Sequence, residues 1–130
     1  MRTKSPLPLT LGHEFAGTIV EVGSKVPFYK AGMKVALQPN IGCGICDRCV
    51  DGKFHLCDNY RAFGINMDGA FAEYVKIPAD AIARGNLMLM PEGVSFAEAA
   101  VIEPLSCAYN GFTKLFVHPG EYALVVGAGP

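Results

Sequence analysis

The stretch Cys43-Gly44-Ile45-Cys46-Asp47-Arg48-Cys49-Val50-Asp51-Gly52-Lys53-Phe54-His55-Leu56-Cys57 places four thiols within fifteen residues. Their spacing is C-x2-C-x2-C-x7-C. Steps of three residues in a loop punctuated by Gly42, Gly44 and Gly52 let several thiolates turn toward one point, as tetrahedral zinc requires. Zinc holds such ligands as thiolates, because the metal lowers their pKa. A disulfide reading competes, but the chain has five cysteines, which leaves one unpaired, and nothing in it points to an oxidising compartment. A redox switch is the other competitor. His55 could replace one thiolate, although four cysteines already fill a tetrahedron and a hydrogen-bonding loop role suits it better.

Around this loop the first half of the chain reads as short strands separated by glycines. Residues 38–66 carry no convincing periodicity, and a loop of that length inside a compact domain is usually functional or clipped by a metal. Phe15 to Val22, rich in β-branched residues and ending at Gly23-Ser24, predicts one strand. Lys34 to Leu37 predicts a second, Ala70 to Ile77 a third after the turn at Asp68-Gly69, and Leu87 to Met90 a shorter fourth before Pro91.

The last third changes character. Ser95-Phe96-Ala97-Glu98 is a capping-box pattern opening a helix through Val101. Pro104 breaks or restarts that helix, being tolerated as the first residue of a new one. Leu105, Ala108, Tyr109, Phe112 and Phe116 recur at helical spacing and predict its buried face. Cys107, in the same pattern, reads as a small core residue. His118-Pro119-Gly120 predicts the terminating turn. Tyr122 to Val126 is a continuous apolar run of the kind buried on both faces of a parallel sheet. It meets Gly127-Ala128-Gly129-Pro130, the first half of a G-x-G-x-x-G phosphate-binding turn, which is weak alone and gains meaning from context.

At 130 residues, with 51% hydrophobic and 18% charged residues, the chain fits one domain with a real core. Its 11 basic and 12 acidic residues give a formal charge of −1, without the basic excess expected of a nucleic-acid or anionic-membrane binder. No apolar run reaches the roughly 18 residues of a membrane span, and the start shows no apolar signal core. The expectation is a soluble cytoplasmic protein.

Three further residues invite a metal or catalytic role. His13 and Glu14, in Gly12-His13-Glu14-Phe15-Ala16-Gly17, can both reach a zinc ion if the backbone bends at the glycines; the bland alternative is an exposed pair before a strand. Glu103 stands in the apolar run Ala99-Ala100-Val101-Ile102-Glu103-Pro104-Leu105, where a carboxylate is costly unless paired, protonated or metal-bound. Its bland alternative is a first-turn glutamate favouring the helix opened at Pro104.

Taken together, these segments resemble the zinc-containing medium-chain dehydrogenases, in particular the polyol (sorbitol) and threonine dehydrogenase branch. The likeness is carried by Gly12 to Gly17, Val20-Glu21-Val22-Gly23-Ser24, the four-cysteine lobe, Asp68-Gly69-Ala70-Phe71-Ala72-Glu73-Tyr74, Glu103-Pro104-Leu105 and Val125 to Pro130, in that order, across essentially the whole chain. The resemblance implies a mainly β fold: a GroES-like β-barrel catalytic domain over residues 1–118, with the cysteine lobe and C-terminal helices, and at 119–130 the first strand of a truncated Rossmann domain. It places His13, Glu14 and Glu103 at a catalytic zinc, Cys43, Cys46, Cys49 and Cys57 at a structural zinc, and Gly127 and Gly129 at an NAD or NADP cofactor.

The chemistry implied is oxidation of a small alcohol or polyol by hydride transfer, in a homo-oligomeric enzyme. Three departures qualify the likeness. The family's first catalytic-zinc ligand is a cysteine lying before the Gly-His-Glu motif, and no cysteine precedes His13. The cofactor domain is cut after Pro130. Met33 stands where Gly-Asp is usual. The expectation is therefore a chain that binds the structural zinc, holds the catalytic zinc weakly or not at all, and lacks turnover by itself. Two non-catalytic alternatives remain at this point: a zinc-stabilised interaction module and a thiol redox sensor. Between Cys43 and Arg61 the charges balance without a basic stripe, which disfavours nucleic acid as the partner of such a module.

Overall fold

The computed structural model describes residues 7–127 and 129. Three short strands, β1 (Ala16–Thr18), β2 (Lys34–Leu37) and β5 (Leu87–Leu89), form one antiparallel sheet in the order β1-β2-β5. Two shorter strands, β3 (Asn40–Ile41) and β4 (Arg61–Ala62), pair antiparallel beside it. Val35, Leu37, Ile41, Phe63, Ala81 and Leu87 make the core, with Phe15, Ile19, Tyr29, Met67, Val75, Ile77 and Ile82 packed against it. Tyr29, half-buried, donates its hydroxyl to the Leu87 carbonyl at 2.6 Å.

Among the described residues Asn86 is the one buried polar side chain, 2% exposed, and its amide nitrogen is fully used. Its Nδ2 donates to the carbonyls of Gln38 (2.9 Å) and Asn40 (2.8 Å) and lies 3.1 Å from Gln38 Oε1, while Gln38 N–H donates to the Asn86 carbonyl. This buried amide stitches the end of β2 to the start of β5.

The 38–66 segment is more structured than its lack of periodicity predicts. It holds β3, β4, a one-turn helix α1 (Asp47–Val50) and a 3-10 turn at Phe54–Leu56. None is long enough to show a period. The same reason hides α2 (Ala79–Ala83), which follows Pro78.

The structure departs from the sequence pattern at two further segments. The first strand is shorter than Phe15–Val22: regular pairing stops at Thr18, and Ile19 ends it by bonding Met33 and Gly32. Ala70 to Ile77 forms no strand; its first residues instead bond to the 10–12 segment, and Phe71 to Tyr74 are exposed.

The capping box at Ser95 is present: Ser95 Oγ accepts the Glu98 N–H and the Glu98 carboxylate accepts the Ser95 N–H, opening α3 (Phe96–Ala100). Helix α4 (Ile102–Phe112) follows at once. Pro104 is its third residue rather than its first, which costs nothing because the first four N–H groups of a helix have no intrahelical partner. The helix stops at Phe112, and His118 to Glu121 forms a separate turn.

Leu105, Ala108, Tyr109, Phe112 and Phe116 are all exposed, as is Cys107, so the stripe exists without a surface over it. Tyr122 to Val126 is likewise exposed and forms no strand. A parallel-sheet strand needs a neighbour for its ladder hydrogen bonds, and the run meets none among the described residues.

Candidate metal centres

The four-cysteine loop closes on itself. One ligand sulfur from each of Cys43, Cys46, Cys49 and Cys57 lies within 4.8 Å of all the others. Cys43 and Cys49 sulfurs are 4.0 Å apart, and those of Cys46 and Cys57 are 3.8 Å apart. Four sulfurs bound tetrahedrally at about 2.3 Å to one zinc stand about 3.8 Å from each other, so this donor set fits zinc. The same distances are far too long for disulfides, whose sulfurs approach to about 2.05 Å.

Local sequence explains the convergence. α1 carries Cys49 inward, buried, on a helical turn whose extended preceding residue is Cys46. Gly42 is buried against it: a Cβ there would come within 2.5 Å of Cys49 Sγ and 3.1 Å of Phe54 Cδ1. Backbone N–H groups reach the sulfurs as well, Cys43 N–H to Cys57 Sγ at 3.3 Å and Cys46 N–H to Cys43 Sγ at 3.4 Å.

These contacts split the thiols. Backbone N–H groups of Ile45 and Cys46 hold Cys43 down at about 6. The Cys49 N–H pulls Cys46 down too, but burial and the other three thiols together push it up to about 11. Four thiols this close cannot all ionise without a cation among them. His55 is exposed and outside the cluster.

The second cluster unites residues ninety positions apart. Ligand atoms of His13, Glu14 and Glu103 all lie within 4.8 Å of one another. His13 and Glu14 sit on the segment leading into β1. That segment is clamped by a backbone ladder in which Gly69 N–H donates to Thr10 O (2.8 Å), Phe71 N–H to Leu11 O (2.9 Å) and Ala70 N–H to Gly12 O (3.0 Å). Gly64 and Gly69, both buried, let the backbones touch: a Cβ on Gly64 would lie 2.6 Å from Gly12 N, and one on Gly69 would overlap the Gly12 carbonyl. Phe15 packs edge-on against buried Phe63, with centroids 6.0 Å apart, which fixes the direction of the residues before it.

Glu103 comes from the first turn of α4. The exposed Cys107 thiol, one turn on, lies 3.9 Å from Glu103 Oε1. Tyr60 is close enough to feel Glu103. Burial and then the negative charge of Glu103 raise the Tyr60 pKa, and its neutral hydroxyl donates to Asn40 Oδ1 at 2.8 Å. One nitrogen and two carboxylates form a hard donor set that leaves a position open on a zinc ion.

The structure thus brings together every residue expected at either metal. Gly127 and Gly129 stand apart from both clusters, Gly127 exposed with φ +108°, and the intervening Ala128 lies outside the described residues, as does Pro130. Gly64, Gly69, Tyr60, Asp80 and Arg84 shape the centres yet carry no sequence signal beyond a turn at Asp68-Gly69, since each acts across tens of residues.

The family described as the alcohol dehydrogenase GroES-like domain matches residues 1–89. The chain belongs to this family. Within it, the chain is 41% identical to the L-threonine 3-dehydrogenase of Legionella pneumophila (strain Corby) over 125 residues, which are 96% of this chain and 35% of that protein. It is 37% identical to the sorbitol dehydrogenase of Bacillus subtilis (strain 168), over 95% of this chain and 34% of that one. Among solved structures it resembles a protein assigned as a zinc-binding dehydrogenase from Sinorhizobium meliloti 1021, bound to NADP. That match has a TM-score of 0.75 and 41% identity, covering 87% of this chain and 32% of the other. The GroES-like chain therefore spans about a third of the length of the relatives it matches. No helix among the described residues is long and apolar enough to cross a membrane.

Proposed function

We propose that this chain forms the zinc-binding catalytic portion of an NAD(P)-dependent dehydrogenase acting on a polyol or secondary alcohol. Residues 1–118 form its catalytic domain and 119–130 the opening strand and phosphate turn of its nucleotide-binding domain, with Gly127 and Gly129 toward the cofactor pyrophosphate. The reading rests above all on one observation: His13, Glu14 and Glu103 converge although two of them are adjacent and the third is ninety residues away. Names of the relatives that are threonine and sorbitol dehydrogenases point the same way.

Under this reading the chain's residues divide the work. His13 offers a neutral ring nitrogen, while Glu14 and Glu103 offer carboxylate oxygens, to the catalytic zinc. A zinc ion there would supply Lewis acidity that lowers the pKa of an alcohol, and a nicotinamide cofactor would supply the hydride acceptor. The Gly12–Gly64–Gly69 contact keeps His13 and Glu14 from drifting, and the first turn of α4 holds Glu103 beside them. Cys43, Cys46, Cys49 and Cys57 hold the structural zinc and give the 38–66 segment its shape. The enzyme works in the cytoplasm as a homo-oligomer, without nucleic-acid partners, a setting that suits unpaired thiols.

The test is zinc per chain, by elemental analysis of metal-replete, gel-filtered protein. The expected value is one tightly held zinc, with a second taken up in excess zinc and lost on dilution. Zero zinc overturns the metal reading. A second reading, a zinc-stabilised protein-interaction module without catalysis, draws on the exposed apolar tips of the cysteine lobe, Ile45 and Val50. It predicts one zinc and no second site at any zinc concentration.

A further inference from the structure

The cysteine lobe is gripped from outside by a single side chain. Arg84 follows α2 and reaches back more than forty residues, its Nη1 donating to the Gly42 carbonyl and its Nη2 to the Cys43 carbonyl at 2.7 Å. Asp80 aims the guanidinium, lying 3.4 Å from Arg84 Nη1 while also pairing with Arg61. Gly44, with φ +80°, leaves the space: a Cβ there would stand 3.0 Å from Arg84 Nε.

The Gly42 carbonyl and the Cys43 N–H belong to one peptide group. That group accepts from Arg84 on its oxygen and donates from its nitrogen to Cys57 Sγ at 3.3 Å. Hydrogen bonds in series polarise one another, so a cation on the oxygen strengthens the bond that the N–H makes to the sulfur. A zinc ion with four thiolates carries a net charge of −2, and a nearby cation offsets part of it. We propose that Arg84 is a positioning residue for the four-thiolate zinc site, gripping the peptide groups on both sides of Cys43 and passing its charge through one of them to the Cys57 sulfur. Arg48 provides the contrast. It donates to the Leu56 carbonyl at 2.8 Å, on a peptide group whose N–H goes to Phe54 O rather than to a sulfur.

This inference rests on the reading that the four thiols hold zinc. Its test uses the zinc-loaded chain, a competing chelator, and alkylation of each cysteine followed by mass spectrometry. Loss of an outer-shell partner typically weakens a metal site about 10–100-fold. Arg84→Ala is expected to release zinc at least about tenfold faster than wild type, with Cys43 and Cys57 alkylated ahead of Cys46 and Cys49. Arg84→Lys keeps the charge and one donor, so it falls between wild type and Arg84→Ala with the same cysteine order. Arg48→Ala removes an equal charge and is expected to keep the wild-type release rate, without Cys43 and Cys57 reacting ahead of the other two.

A general loss of stability would expose all four thiols in step, so the order separates positioning from mere folding support. Release within about twofold of wild type in the Arg84 variants, or alkylation of all four cysteines together, overturns the proposal; should Arg84→Ala not fold, Arg84→Lys decides alone. Wild-type protein without zinc would instead remove the underlying reading, a result that the same experiment shows before any variant is compared.

Discussion

Gly64 lies directly on the backbone of Gly12, so close that a Cβ on Gly64 would come within 2.6 Å of both the amide nitrogen and the carbonyl oxygen of Gly12. The residue after Gly12 is His13, so this contact sets the height of a candidate metal ligand. Gly69 meets the same carbonyl, which a Cβ there would overlap.

Gly69→Ala should therefore act on the second metal site before it acts on the first. φ at Gly69 is not in the left-handed region, so the damage comes from overlap alone, and overpacking of this kind costs about 1–3 kcal/mol. The expected outcome is a lowered Tm, loss of the weakly held zinc, and retention of the four-thiol zinc, read by elemental analysis at two zinc concentrations. Gly17→Ala is the control, since a Cβ at Gly17 meets nothing within 4 Å, and its stability should stay within about 0.5 kcal/mol of wild type.

Gly42→Ala tests the first site in the same way. Its new methyl would press on Cys49 Sγ at 2.5 Å, so either the sulfur or the 42–43 backbone must move. Zinc content of the lobe should fall and alkylation should begin with Cys49. In wild-type protein the thiols should resist alkylation until a chelator is added, which a free redox switch would not do.

Signals that act over a few residues were legible in the sequence. The Ser95–Glu98 box forms because each partner sits one turn from the other, and the cysteine spacing closes because glycines flank it. Periodicity was the weaker guide. Leu105, Tyr109 and Phe112 do share a helical stripe, but a stripe says which residues are apolar and not what covers them. Ala70 to Ile77 reads as a strand because it is apolar and β-prone, while the N–H groups of Ala70 and Phe71 go to the Leu11–Gly12 segment. His13, Glu14 and Glu103 stand out in their local sequence with bland alternatives beside them, and the resemblance joins them; the glycine contact and the Arg84 fork that position the two sites join distant segments, and one sequence carries no record of such pairs.

The capping box makes stability depend on pH. The Ser95 hydroxyl and then its backbone N–H hold the Glu98 carboxyl below the usual carboxylate range. The folded pKa is thus depressed, so the contribution is complete above the ordinary glutamate value of about 4.3 and fades as pH falls through the lower folded value. Glu98→Gln should lower Tm at neutral pH, and the gap to wild type should close in acid. Ser95→Ala should cost about 1 kcal/mol at neutral pH, measured by denaturant unfolding.

Asn86→Ala should be among the more damaging changes away from the metals. Its amide is the donor to both the Gln38 and Asn40 carbonyls, and truncation leaves both acceptors in a buried site. An unsatisfied buried acceptor costs about 1–3 kcal/mol, so the loss should exceed that of Ser95→Ala in the same denaturant experiment.

Glu103→Gln separates the two metals most cleanly. The side chain keeps its size and its place in the first turn of α4, but the carboxylate becomes a neutral amide, a much poorer zinc ligand. Loss of an outer-shell partner already costs about 10–100-fold in metal affinity, and a direct ligand should matter no less. Zinc titration should show the weak site weakened by at least about tenfold, while the tight zinc and its thiol protection stay as in wild type. If the weak site is unaffected, Glu103 is only a first-turn glutamate, and its approach to His13 and Glu14 reflects packing rather than chemistry. If instead the tight zinc is lost, the two clusters are coupled through the fold, with Tyr60, three residues after Cys57 and within the field of Glu103, as the connecting side chain.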